Sequence, residues 1–160
     1  MADYYGYTRT SYFGVTNQKK FRQLMARCTV AGDSIMIFEQ HDELDPTKVI
    51  KFGFGAYGSI LGINEDCKTP NETLKDGCEA DCCEDADYCH FAFCKALQEL
   101  VAEGDAILIQ EVGFEKLRYL VADTTIITRT EIRSVRMEDV ALQMVRDMLG
   151  NPDFATQIHY

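Results

Sequence analysis

Six of the seven cysteines fall within 28 residues, in the order Cys67, Cys78, Cys82, Cys83, Cys89 and Cys94, and His90 stands beside Cys89. Zinc takes four ligands in a tetrahedron, and thiolates supplied by a loop and by the first turn of a following helix suit that geometry. A reducing compartment favours metal over disulfides for clustered thiols. Four of the five residues Cys67, Cys78, Cys82, Cys83 and Cys89 are therefore the expected ligands of a structural Zn(2+). Cys94 falls on the apolar stripe of a helix and reads as a small buried hydrophobe. The spacing matches no standard finger or ribbon, so density and context carry the reading, with free thiols and disulfides as the alternatives. The segment has few large apolar residues and could not order itself by burial alone.

The same region holds Glu65, Asp66, Glu72, Asp76, Glu79, Asp81, Glu84, Asp85 and Asp87 against Lys68 and Lys75, which is seven of the chain's ten net negative charges. Such a loop is either a solvated, solubilising segment or an anionic surface for a basic groove, in which case Glu79, Asp81, Glu84 and Asp85 are the partner-binding candidates. Gly53-Phe54-Gly55-Ala56-Tyr57-Gly58 matches a dinucleotide fingerprint letter by letter. Its glycines lie inside an alternating strand with no helix behind them, so a close backbone approach or a bulge is the better explanation. The three histidines sit beside no plausible nucleophile, and no nucleophile elbow, P-loop or zincin motif occurs. Glu111 and Glu115 flank an expected turn and are the nearest thing to a carboxylate pair. No catalytic residue is assigned. The group Tyr4, Tyr5, Tyr7, Tyr12 and Phe13 reads as core and rim packing at a strand start.

These residues need a frame. Phe21, Leu24, Met25 and Cys28 share one helical face, with Thr16 placed to cap it, after an extended segment over residues 10–15. Residues 35–38 read as a buried strand and 50–57 as a second, joined by a hairpin over 41–47. A second helix is expected over about 87–103, with Gly104 as its left-handed end. Residues 106–112 form a strand, 113–116 a turn, and 117–121 and 124–129 two more extended stretches in a meander. A third helix uses Met137, Ala141, Met144, Val145 and Met148 and stops at Gly150-Asn151-Pro152, followed by a docked tail. The expectation is a single α+β domain over 1–160, a mainly antiparallel sheet packed by about three helices, with 64–86 as an acidic Cys-rich insertion loop.

Composition sets outer bounds. A chain of 160 residues with 46% hydrophobic content can build one core without staples. A net charge of −10 repels nucleic acid and anionic lipid, and no basic patch is visible in the sequence. No secretory signal or membrane span is evident, so the expected location is the cytoplasm.

Residues 101–109 (Val-Ala-Glu-Gly-Asp-Ala-Ile-Leu-Ile) and 113–119 (Gly-Phe-Glu-Lys-Leu-Arg-Tyr), with Ser11-Tyr12-Phe13-Gly14-Val15 and Asn151-Pro152-Asp153-Phe154, resemble small accessory proteins carried by phages, plasmids and conjugative elements. The cysteine loop lies outside that likeness. Together with the acidity and the thiols, it is similar to zinc-containing anti-CRISPR inhibitors of the type II RNA-guided nuclease. The resemblance implies an intracellular protein in a host bacterium that binds the CRISPR effector nuclease and blocks target-DNA loading or cleavage, without touching nucleic acid itself. The alternatives are a mobile-element accessory protein that binds another host protein, and a small enzyme using the metal catalytically.

Overall fold

The computed structural model describes residues 5–64, 88–115 and 119–156. In chain order its elements are β1 (Tyr5–Thr10), α1 (Gln18–Arg27), β2 (Thr29–Val30), β3 (Met36–His41), β4 (Val49–Tyr57), β5 (Ile60–Gly62), α2 (His90–Leu100), β6 (Ile107–Glu115), β7 (Tyr119–Ile127), β8 (Ile132–Arg136) and α3 (Met137–Leu149). Six strands form one antiparallel sheet in the order β3-β4-β1-β6-β7-β8, and β2 pairs with β5 in a small second sheet. Strands β1, β3, β4 and β6 with α1 and α2 make a split β-α-β-β-α-β arrangement, extended by the β7-β8 meander and α3. The α+β expectation, a mainly antiparallel sheet with three helices, holds, and α1 and α2 lie over one face of that sheet.

Helix α1 starts one residue later than the expected cap: Asn17, not Thr16, accepts from the Lys20 N–H at 2.9 Å. Thr16 is used elsewhere, its N–H and hydroxyl both donating to the Leu100 carbonyl and so tying α1 to the end of α2. Phe21, Leu24 and Met25 then meet Phe93, Cys94, Leu97 and Leu100 of α2 over one face of the sheet. That face supplies Phe52, Phe54, Ile107, Ile109 and Ile127, with Phe13 delivered by a bridge to Phe52 after β1 ends. The core is rich in rings packed edge to face, Phe13 on Phe21 and Phe54, and Phe54 on Phe93. Burying roughly 150–250 Å² per ring makes these four phenylalanines, with Phe52, the main apolar contribution to folding.

Several boundaries differ from expectation. Residues 113–115 continue β6 instead of turning, because Gly113, Phe114 and Glu115 pair with Val121, Leu120 and Tyr119. The two extended stretches after them are one strand, β7, and its hairpin partner β8 carries too few apolar residues to announce itself. Helix α2 ends at Leu100, and Gly104 takes its positive φ of 75° in the loop beyond, where Asp105 accepts from the Gly14 N–H at 2.8 Å. Helix α3 exists with a left-handed Gly150 at its end, yet none of its residues is buried, and Met137, Met144 and Met148 are exposed. It follows β8 without a linker and packs mainly on β7 and β8, out of reach of the core that α1 and α2 already fill. The tail docks in part, with the Phe154 carbonyl accepting from Arg146 Nε at 2.9 Å.

Candidate functional site

Of the five expected zinc ligands, Cys89 alone lies within the described residues; Cys67, Cys78, Cys82 and Cys83 lie outside them, as do Glu79, Asp81, Glu84 and Asp85. Cys89 is buried and N-caps α2, its Sγ accepting from the Ala92 N–H at 3.2 Å. Its backbone is paired with Ile63 through two hydrogen bonds, Cys89 N–H to the Ile63 carbonyl at 2.8 Å and Ile63 N–H to the Cys89 carbonyl at 3.3 Å. Residues 64–88 therefore leave and re-enter the fold at adjacent points. Gly62 makes the closure possible: its φ is 115°, and a Cβ there would sit 2.2 Å from the Cys89 carbonyl oxygen.

The other two thiols are chemically quiet. Burial pushes the Cys94 thiol up to about 12, helped by neighbouring Cys89 and Cys28, and burial does the same to Cys28 against a backbone hydrogen bond from Gly62. Protonated buried thiols are poor nucleophiles. Cys94 Sγ lies 3.7 Å from His90 Nδ1, and burial lowers the His90 pKa while the Glu111 carboxylate raises it. Among the described residues, no three His, Cys, Asp or Glu side chains converge to hold a metal ion.

Glu111 ties the neck to the sheet. It stands on the helix-covered face of β6, takes a hydrogen bond from the Ser59 hydroxyl, and lies opposite Asp123 of β7. Two carboxylates facing across a ladder repel; Arg136 of β8 stands opposite Asp123 on the other side. Glu115 lies four residues along the same strand, about 13 Å away at the ordinary rise per residue. The two glutamates thus do not flank a turn, and that spacing exceeds the roughly 5–9.5 Å of paired catalytic carboxylates. Every acidic side chain on a strand of the large sheet, Glu39, Glu111, Glu115 and Asp123, occupies this helix-side face by register.

The opposite face is different in kind. Its rows across the sheet are Tyr5-Phe114-Leu120, then Tyr57-Tyr7-Val112-Ala122, then Met36-Gly55-Arg9-Gln110-Thr124-Val135, with Leu108, Ile126 and Arg133 beyond. No carboxylate interrupts these rows in a chain holding 26 of them. Tyr5, Tyr7, Tyr57 and Phe114 are 56, 53, 56 and 44% exposed, and Met36, Leu108, Val112, Leu120 and Val135 are exposed too. The rings pair on the surface, Tyr5 stacked on Phe114 at 5.7 Å and Tyr7 edge-on to Tyr57 at 5.6 Å. Of the expected packing group, then, Tyr4 lies outside the described residues, and Phe13 enters the core while Tyr5, Tyr7 and Tyr12 face solvent.

The glycine fingerprint resolves on this face as well. Gly53 and Gly55 sit within β4, and a Cβ on Gly55 would meet the Thr8 carbonyl oxygen at 2.8 Å and the Phe38 ring at 3.3 Å. The small residue lets Phe38 lie across the strand beneath Arg9, whose guanidinium is 4.2 Å from the ring centre. Strand β5, not a helix, follows Gly58, so no helix N-terminus waits for a pyrophosphate. No described helix is long and apolar enough to cross a membrane. Comparison with protein-family models, curated proteins and solved structures finds no match to this chain.

Proposed function

We propose that the chain is a non-catalytic binding protein of the anti-CRISPR kind, which occupies a basic surface of a type II effector nuclease and keeps target DNA from loading. The observation that carries this reading is the two-sidedness of charge. The acidic segment leaves the fold at the Ile63–Cys89 neck, beside His90 and within electrostatic reach of Glu111, on the side where the strand carboxylates lie. The segment carries seven net negative charges, and the strand carboxylates Glu39, Glu111, Glu115 and Asp123 all lie on the helix side of the sheet, whereas no strand residue of the opposite face is acidic. Such an arrangement suits a DNA-binding channel, because complementary potentials raise the association rate and select the partner.

A structural zinc ion in the Cys-rich segment belongs to the same proposal. Cys89 fits the role, since its Sγ sits at the N-terminus of α2, where the helix favours negative charge. Cys94 does not, because it lies within α2 on the face packed into the core beside Phe93 and Leu97. Zinc bound by thiolates would hold a polar segment in shape, contributing roughly 10–16 kcal/mol of apparent binding free energy in comparable peptides.

The test is target-DNA cleavage by a guide-loaded type II effector, with the protein added before or after the DNA. Inhibition is expected when the protein comes first. Reversing Glu79, Asp81, Glu84 and Asp85 to lysine changes four charges by two each, taking −10 to −2, and should slow association by about tenfold or more at low salt. Absence of inhibition by the folded protein at saturation removes this target and leaves an accessory protein that binds another host component. Unchanged inhibition by the charge-reversed variant removes the acidic segment from the mechanism.

A further inference from the structure

We propose that the open face of the six-stranded sheet is the interface of a homodimer, two copies packing sheet against sheet. Four rings about half exposed, each offering roughly 150–250 Å² when free, contribute about 400 Å². The five exposed aliphatic side chains bring the open area to roughly 700 Å², above the few hundred typical of a soluble monomer's largest apolar patch and close to the roughly 800 Å² per partner of a stable interface. Antiparallel sheets stack face to face at about 10 Å, and the rows centred on Tyr7 and Val112 supply the side chains to interdigitate.

Charge selects the occupant. The cations of this face are already engaged within the chain: Arg9 over Phe38, Lys51 at 3.5 Å from Asp105, and Arg133 with Glu131 in the turn before β8. Asp105 and Glu131 thus offset Lys51 and Arg133, and Arg9, its guanidinium covered by a ring but still charged, leaves one positive charge per copy, too little to hold a phosphate backbone or an acidic peptide. Two chains each carrying −10 repel over most of their surface, and the side without strand carboxylates is where they approach at least cost. A two-fold interface requires a surface complementary to itself, and an apolar sheet face of low net charge meets that condition. In the dimer both acidic sides point outward, so the proposal stands whether or not the effector is the target.

Sedimentation velocity of the full chain from about 1 to 100 µM spans the range in which an interface of this size associates. A concentration-dependent shift to twice the mass is expected, strengthening as salt rises, because screening relieves the repulsion between acidic chains while apolar burial is retained. Tyr7→Lys with Val112→Lys places four cations at the centre of the interface and should weaken association at least 100-fold. Both sites are exposed, so the circular-dichroism spectrum and unfolding midpoint should stay near those of the parent. A monomer throughout the concentration range overturns the proposal. So does a dimer indifferent to the paired lysines, which would place the contact elsewhere. If the monomeric chain instead binds a labelled single-stranded oligonucleotide in fluorescence anisotropy, and the variant does not, the face is a stacking platform for bases and the dimer is refuted.

Discussion

Excising residues 65–87 and joining Asn64 to Tyr88 through two glycines or serines should leave the fold intact and make it slightly more stable. Ile63 and Cys89 are paired by two backbone hydrogen bonds, and β5 and α2 on either side belong to the same core, Ile60 and Ile63 meeting Phe93 and Cys94. The two ends of the cut are therefore held together without the intervening chain, and shortening it spares every described core residue. Reducing the loop from 25 residues to four lowers the entropic cost of closure by (3/2)RT ln(25/4), about 1.6 kcal/mol, if the ends stay where they are. At this chain length that corresponds to a rise of roughly 3–6 °C in midpoint temperature. The assay is urea unfolding and calorimetry of both proteins with a chelator present, so that metal linkage does not enter the comparison. A shortened chain that fails to fold, or loses several kcal/mol, would show that the segment is part of the cooperative core and refute the closed neck. Repeating the measurement with added zinc isolates the metal's share, which should stabilise the parent and leave the shortened chain unchanged.

Gly62→Ala should cost at least about 2 kcal/mol, combining the roughly 1–3 kcal/mol of a strained backbone with displacement of the Cys89 carbonyl that lies 2.2 Å from the new Cβ. Gly104→Ala is the control: φ is 75° but nothing lies within 4 Å, so a loss of about 1 kcal/mol or less is expected, and equal urea midpoints for the two variants would remove the neck contact from the account. A pH effect follows from His90, whose pKa burial lowers against the opposing pull of Glu111. The folded chain binds this proton less readily than the unfolded chain, so the neutral ring destabilises nothing above about 6.5, and stability falls as pH drops through that value towards the lower folded pKa. The slope from one site cannot exceed about 1.4 kcal/mol per pH unit, and His90→Gln should flatten it between about pH 7 and 5; parallel profiles for parent and variant would refute the assignment.

Those elements whose burial follows one clean period were legible in the sequence. The stripe Phe21, Leu24, Met25 gave α1, the stripe Phe93, Leu97, Leu100 gave α2, and the alternation through β4 gave a strand with Phe52 and Phe54 inward. Where both faces of a strand are apolar, alternation fades, and the boundary goes with it. Along β6 the inward Ile107 and Ile109 are answered by outward Leu108, Val112 and Phe114, so the run resembles a fully buried strand and the glycine at 113 looks like a turn. The same double-sidedness hid the open face: Tyr5 and Tyr7 are two residues apart, which is visible, but their neighbours Tyr57 and Phe114 join them only through pairings more than 45 residues distant in sequence. Side-chain period can say that a residue points one way or the other, and pairing alone says which other residues point with it. Charge behaves likewise. Glu39, Glu111, Glu115 and Asp123 are scattered in sequence and unremarkable singly, yet the register sets all four on the helix side. Had the hairpin from β6 to β7 slipped by one residue, Asp123 would stand among Tyr7, Val112 and Phe114, and a strand carboxylate would interrupt the face with which the molecule would meet a second copy of itself.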